Sequence, residues 1–339
     1  MKAIGIWKAL PADDPEALVE REIPMPEPGP DDLLVRVEAI SVNPADIRTR
    51  MRKTDDGHFA VLGWDVAGAV VATGASVRDF APGDPVLYAG DLSRPGANSE
   101  YHLVERAIVG RRPAALAPAP AAALPLTALT AWEALFDRLG LTPGAAPAPA
   151  PRSLLIVGGA GGVGSMAIQL ARLVPGLTVI ATASRPQSRA WCLSLGADAV
   201  IDHFADLEAQ IADLGLAPPG LVLLANDPDR HFPALARLIA PGGRICCVVP
   251  FATPPDIGAL MRKSAGLVWE FMFTRPMFAT PDRARQGEIL TRVAQMAAEG
   301  RLRPTGTETL SPISSDTLRE AHRRIESGRT IGKIVLTGF

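Results

Sequence analysis

The chain has 339 residues, 47% hydrophobic and 21% charged, which excludes wholesale disorder and, at roughly 150 residues per domain, points to two domains. Its 34 Lys and Arg against 36 Asp and Glu leave a net charge of -2, so no strong field draws it to nucleic acid or to an anionic membrane surface. Cys192, Cys246 and Cys247 leave one thiol over in any disulfide scheme and form no metal-ligand spacing.

From the N-terminus, the apolar stretch after Lys2 stops at Lys8, too short for a signal segment. No apolar run approaches the ~20 residues of a membrane span, so a cytoplasmic protein is expected. Proline crowds the front: 18 of 32 fall within residues 1–151, which predicts short strands and turns there, because proline donates no backbone hydrogen bond. Residues 33–40 alternate loosely like a half-buried strand, and 67–74 and 84–90 are short apolar runs bounded by Gly and Pro. Residues 1–112 therefore read as a small barrel-like β domain.

Helix formers dominate 121–139, and the tract Pro143-Gly144-Ala145-Ala146-Pro147-Ala148-Pro149-Ala150-Pro151 is polyproline-like, either a linker or a surface loop within a domain. Strand-like segments at 153–157, 178–183, 199–201, 221–225 and 244–249 then alternate with helical stretches at 164–174, 189–195, 207–214 and 232–239. That alternation predicts a parallel, doubly wound α/β sheet, with 266–273 as a candidate sixth strand. A helix over 284–299, a strand at 308–310, a helix over 315–326 and a strand at 332–337 follow.

Gly159-Ala160-Gly161-Gly162-Val163-Gly164 follows the first of those strands and opens a helix, the context that turns GxGxxG into a dinucleotide signal. Gly159 is expected to make the tight turn, Gly161 to let the backbone approach a pyrophosphate, and Gly164 to pack helix on sheet. Gly162 and Val163 lie at the helix start, where N–H groups meet phosphate. An NAD site carries an acidic residue about 20 residues further on. Here no Asp or Glu lies between Asp137 and Asp198, while Ser184, Arg185 and Arg189 stand where the adenosine ribose belongs. A guanidinium takes a 2′-phosphate that a carboxylate would repel, so NADP(H) is expected over NAD(H).

Along essentially its whole length the chain resembles the medium-chain dehydrogenase/reductase superfamily, specifically its zinc-free quinone oxidoreductase branch and the zinc-type alcohol dehydrogenase-like members of it. The carrying residues are Ser41-Val42-Asn43-Pro44-Ala45-Asp46, Gly63-Trp64-Asp65-Val66-Ala67-Gly68, the run from Ala123 to Trp132, the glycine motif, Trp269-Glu270-Phe271-Met272-Phe273 and Gly332-Lys333-Ile334-Val335-Leu336. The resemblance implies a GroES-like catalytic domain of β-barrel type from residues 1–121 and 273–339, a Rossmann NADP-binding domain over 122–272 inserted in it, and an active site in the cleft where the two meet. It also implies a homodimer joined through the strand near 266–273.

Zinc-dependent relatives carry Cys where this chain has Asn43 and Gly-His-Glu where it has Gly63-Trp64-Asp65, and no Cys precedes position 192, so no zinc is expected. Without that Lewis acid, hydride goes more easily to an acceptor that spreads its own charge, a quinone or an α,β-unsaturated carbonyl. The small hydrophobic acceptor would meet Asn43 as hydrogen-bond donor, Asp46 or Tyr88 as proton source, and Trp64 and Tyr88 as pocket walls. Thr130 and Asn226 would meet the nicotinamide end of the cofactor. No Tyr lies between Ile47 and Phe59, where quinone reductases of the superfamily often carry them, and this weakens the quinone assignment. The alternatives are a non-catalytic NADPH-binding sensor or structural protein on the same scaffold and, against the missing zinc ligands, an alcohol dehydrogenase.

Overall fold

The computed structural model describes residues 1–146 and 152–339; the end of the proline-rich tract, 147–151, lies outside the described residues. The chain divides into two units, Met1–Leu129 with Phe273–Phe339, and Thr130–Met272.

The front of the first unit is built on strands β1 (Lys2–Ile6), β2 (Val19–Glu22), β3 (Asp32–Ser41), β4 (Ala60–Val61), β5 (Val66–Thr73), β6 (Pro85–Tyr88), β7 (Tyr101–Glu105) and β8 (Gly110–Arg111), with helix α1 (Pro44–Arg52) between β3 and β4. The ten-residue β3 pairs antiparallel with both β5 and β7. Register irregularities fall at Leu34/Val35 and Val37/Ala39 in its pairing with β5. Its residues Leu33, Val35, Ala39 and Ile40 are buried.

Helices α2 (Pro118–Ala122) and α3 (Pro125–Trp132) follow, then a π-helical stretch, Glu133–Arg138. The single helix expected over 121–139 is thus three pieces: Pro125 cannot continue the first, so it starts the second. α2 packs on β3, β5 and β16 (Lys333–Thr337), which is why the first unit runs on to Leu129.

The inserted unit carries β9 (Arg152–Val157), α4 (Gly162–Ala171), β10 (Leu177–Thr182), α5 (Pro186–Ser194), β11 (Ala199–Ile201), α6 (Leu207–Asp213), β12 (Leu221–Leu224), α7 (Pro228–Leu238), β13 (Arg244–Cys247) and β14 (Gly266–Trp269). All six strands are parallel, in the order β11-β10-β9-β12-β13-β14, a doubly wound sheet. Strands covered on both faces read as continuous apolar runs, and every residue of β12 is buried. α7 begins four residues before the expected Phe232 because Pro228 takes the first helical position, where its missing N–H costs nothing.

The chain returns with α8 (Thr274–Met277), α9 (Arg285–Ala298), β15 (Gly306–Leu310), α10 (Ser315–Glu326) and β16. β16 lies antiparallel to β3, Val335 opposite Ser41 and Leu336 opposite Ile40. Carrying that register two residues back brings Lys333 opposite Asn43.

Candidate functional site

In the inserted unit, four residues join β9 to α4. Gly158, at φ +84°, makes the left-handed turn that the sequence had pointed to Gly159 for. Its N–H donates to Thr182 Oγ1 at 3.0 Å, and the Gly159 N–H donates to Thr182 O at 3.1 Å, so the loop is stapled to the end of β10. Gly159 instead serves close packing: a Cβ there would stand 2.7 Å from Ala181 Cβ and 3.1 Å from Cys192 Sγ. A Cβ on Gly164 would stand 2.7 Å from Gly159 Cα, so the helix start presses on the loop.

Gly161 differs. A Cβ there would meet only Gly158 O, at 3.5 Å, which leaves room on its outer side. Gly161 caps α4, and the first intrahelical bond is Ser165 N–H to Gly161 O, so the N–H groups of Gly162, Val163 and Gly164 lie in the helix's first turn with its partial positive charge. An anion in that cradle, such as the pyrophosphate of a dinucleotide, finds both space and donors.

Beyond β10, Ser184 and Arg185 are half-buried. Arg185 stands at the N-cap of α5, held by its N–H to Ser188 Oγ (3.2 Å) and by the Ser188 hydroxyl donating to Arg185 O (2.9 Å). Arg189 takes a structural position: its Nη1 donates to Ala183 O and its Nη2 to Val200 O, tying the ends of β10 and β11. Asn226 is exposed after β12, its Cβ 3.2 Å from the point a Gly158 Cβ would occupy. Thr130 is buried in α3.

The outer unit holds a buried polar cluster at the meeting of β3, α1, the turn before β5, and β16. Asp65 Oδ2 accepts from Ser41 Oγ (2.8 Å), Asn43 Nδ2 (2.8 Å) and Lys333 Nζ (2.9 Å), and its Oδ1 accepts from Leu126 N–H (2.7 Å). Lys333 Nζ also donates to Val42 O (2.8 Å) and to Asn43 Oδ1. Asp46 Oδ2 accepts from the Asn43 N–H, in the capping box that starts α1, while its Oδ1 has no hydrogen-bond partner. Burial pushes Asp46 up to about 7; the Asn43 N–H and then Lys333 pull against that, and Asp65 adds to it.

Trp64 and Tyr88 are buried, as Asn43 and Asp46 are, and both are committed to partners of their own. Trp64 is 3% exposed, its Nε1 donating to Asp91 O (3.3 Å) and its ring edge-on to Phe273. Tyr88 is wholly buried and its hydroxyl lies 3.1 Å from His102 Nδ1. His102 Nε2 lies 2.9 Å from Pro95 O, a pure acceptor, so that nitrogen carries the proton and Tyr88 donates to the other. Burial raises the Tyr88 hydroxyl well above its ordinary value. Both features remove Tyr88 from the proton sources.

Sequence reasoning missed Gly158, Thr182, Asp65 and Lys333 as site residues. A signal for Lys333 did exist: it is one of five lysines and opens an otherwise apolar strand, where a charge needs a partner. Among the described residues no group of three or more His, Cys, Asp or Glu is placed to hold a metal ion. The donor set around Asp65 does not fit zinc either, since Asn43 and Trp64 supply no thiolate or imidazole and the Lys333 ammonium already lies among the acceptors. No helix among the described residues is long and apolar enough to cross a membrane.

Residues 29–113 match the model of the alcohol dehydrogenase GroES-like domain, and 195–336 that of the zinc-binding dehydrogenase family. The zinc-type alcohol dehydrogenase-like protein of Staphylococcus epidermidis is 38% identical over 336 residues, 99% of each chain. The chloroplastic NADPH-dependent alkenal/one oxidoreductase of Arabidopsis thaliana is 30% identical over 328 residues, covering 94% of this chain and 75% of the relative. Among solved structures, a Rhizobium etli protein assigned as a zinc-dependent alcohol dehydrogenase is 50% identical, with TM-score 0.94 over 100% of this chain and 98% of the other. The quinone oxidoreductase of Coxiella burnetii is 26% identical, with TM-score 0.82 over 100% and 99%.

Proposed function

The chain belongs to the medium-chain dehydrogenase/reductase superfamily, in its quinone oxidoreductase-like branch, and we propose that it is a zinc-independent, NADPH-dependent reductase of α,β-unsaturated carbonyls or quinones. The observation that carries this reading is the Lys333 ammonium set among Asp65, Asn43 and Val42, because it meets with a fixed internal cation the acceptors a metal would need. An alcohol oxidation that relies on a Lewis acid finds no ligand set for one among the described residues, whereas a conjugated acceptor delocalises the charge that hydride brings.

NADPH supplies the hydride when bound. The chain's own residues bind, orient and protonate. The cradle of Gly161, Gly162, Val163 and Gly164 takes the pyrophosphate, Arg185 the 2′-phosphate, and Ser184, Asn226 and Thr130 the riboses and nicotinamide. Arg189 supports that loop from behind. Asn43 donates an amide hydrogen to the acceptor oxygen as negative charge develops on it. Asp46, raised toward neutrality by burial, gives the proton that completes the reduction, so one hydride and one proton are added and NADP⁺ leaves. The enone reading draws on the Arabidopsis relative, and the absence of Tyr between Ile47 and Phe59 counts against a bulky quinone.

β14 ends the sheet with one edge unpaired among the described residues, and Ile257, Met261, Trp269 and Phe271 of the same unit are exposed. We propose that a second copy of the chain covers this edge.

The test is loss of NADPH absorbance with small enones, quinones and aldehydes. Turnover of an enone or quinone with NADPH, unaffected by chelators, is the expected result. Tight NADPH binding with no turnover across the panel would overturn it in favour of a non-catalytic cofactor-binding protein.

A further inference from the structure

The Asn43 carboxamide lies between two groups that leave it no choice of orientation. An ammonium has only hydrogens to offer, so the atom facing Lys333 Nζ is the amide oxygen. The Asp65 carboxylate, which takes hydrogens from four donors, faces the amide nitrogen at 2.8 Å. One Asn43 amide hydrogen is thereby spent on Asp65 and one remains. Without Lys333 only the Asp65 carboxylate would still hold the amide, so its oxygen would lose its anchor and the carboxamide would be held from one side alone.

Lys333 is itself placed by the fold. It enters β16 opposite Asn43 in the β3–β16 register, is 3% exposed, and spends its three hydrogens on Val42 O, Asn43 Oδ1 and Asp65 Oδ2. We propose that Lys333 is a positioning residue for the reduction: by fixing the Asn43 amide with its oxygen inward, it presents the remaining N–H to the acceptor and holds the cluster around Asp46 in a working charge state. This rests on the reductase reading above, but the amide orientation is a property of the protein alone.

The ionisable groups that act on Asp46 are Lys333 from β16, which lowers its pKa, and Asp65 from the turn before β5, which raises it. Arg50, one turn further along α1, is paired with Glu326 of α10, and His322 of α10 lies beside Arg50. Removing the lysine charge therefore leaves Asp46 holding its proton to higher pH. In a reaction that needs protonated Asp46, the alkaline limb of the activity profile moves upward.

The experiment compares wild type with Lys333→Met and Lys333→Arg, reading NADPH-dependent turnover of methyl vinyl ketone and 1,4-benzoquinone against pH. The Asn43 side-chain amide is read in parallel by nitrogen-15 NMR. The chain has only three asparagines, Asn43, Asn98 and Asn226, so labelling that residue type gives three amide pairs, and Asn43→Ser assigns the one in question. In Lys333→Met we expect kcat to fall roughly tenfold or more with NADPH affinity kept, the alkaline limb to move up, and the Asn43 pair alone to shift and exchange faster with water. Lys333→Arg is expected to keep the limb and the Asn43 pair near their wild-type positions.

Should Lys333→Met fail to fold with Asp65 stranded, the Lys333→Met/Asp65→Asn double variant strands no charge and is expected to show the same loss of the ordered Asn43 pair. An Asn43 pair identical to wild type in a folded variant lacking the lysine overturns the proposal, as does a kcat loss with an unmoved limb. If wild type oxidises NADPH with neither acceptor, the reductase reading falls, and the Asn43 signals still decide the role of Lys333.

Discussion

Glu133 and Glu270 are neighbouring carboxyls within the inserted unit, both withdrawn from solvent. One stands in the π-helical stretch and the other directly follows β14, and Arg138 Nε donates to Glu270 Oε2 at 2.8 Å. Two buried carboxyls this close raise the cost of ionising both. Burial, and then the neighbouring Glu133, push Glu270 up to about 9 against the pull of Arg138.

A carboxyl whose folded pKa is raised stabilises fully below its ordinary value, here 4.5, and loses that contribution as pH rises through the folded value of about 9. The melting temperature should therefore decline with pH across that window. Glu270→Gln, which keeps the shape without a titrating proton, should flatten the decline. Melting curves at a series of pH values decide it, and an equal slope in the variant would show that Glu270 is not the titrating group.

Arg185→Ala should weaken NADPH binding by about tenfold to a hundredfold, the loss of one charge-assisted bond, while leaving NADH binding little changed. Fluorescence titration with both cofactors checks this. Equal losses for the two would show that Arg185 does not read the 2′-phosphate.

The glycine loop separates cofactor from fold. Gly164→Ala forces a Cβ to 2.7 Å from Gly159 Cα and should cost stability, about 1–3 kcal/mol for an overpacked contact. Gly161→Ala meets only Gly158 O at 3.5 Å, so it should melt like wild type yet bind NADPH more weakly. A Gly161→Ala protein with undiminished affinity would place the pyrophosphate elsewhere.

Tyr88→Phe removes the donor to His102 and leaves a buried acceptor unpaired, for about 1–3 kcal/mol of stability, with turnover unchanged. Burial also lowers His102 to about 4. A histidine kept neutral in this way costs stability as pH falls from 6.5 toward that value, because the unfolded chain takes up the proton first. Acid unfolding of His102→Gln should therefore begin at lower pH than that of wild type.

Lysine on an open strand edge is a recognised guard against pairing. Leu267→Lys or Trp269→Lys in β14 should convert a wild-type dimer to a monomer in sedimentation. A monomeric wild type, or variants that remain dimeric, would remove β14 from the subunit interface.

Periodicity and glycine spacing were enough to read the inserted sheet, because parallel strands covered on both faces are apolar throughout and the loop after β9 must be small. Strands β9 to β13 lie within about two residues of where their apolar runs predict them. Composition was less informative in the first unit, where β1, β2 and β7 are short and α1 is a polar helix held by its cap and by neighbours distant in sequence. The 339-residue length indicated two domains, and the family resemblance implied that one is inserted in the other.

Tertiary structure alone decided which side chains act together. Asn43 and Lys333 are 290 residues apart, and only the antiparallel register of β3 and β16 makes them neighbours. Contacts made only in the folded chain also commit the Tyr88 hydroxyl to His102 and two hydrogens of Arg189 to Ala183 and Val200. A local pattern reports what a residue needs, apolar cover or a small turn. A buried charge is satisfied by whatever partner the sheet brings to it, and that partner is chosen by topology.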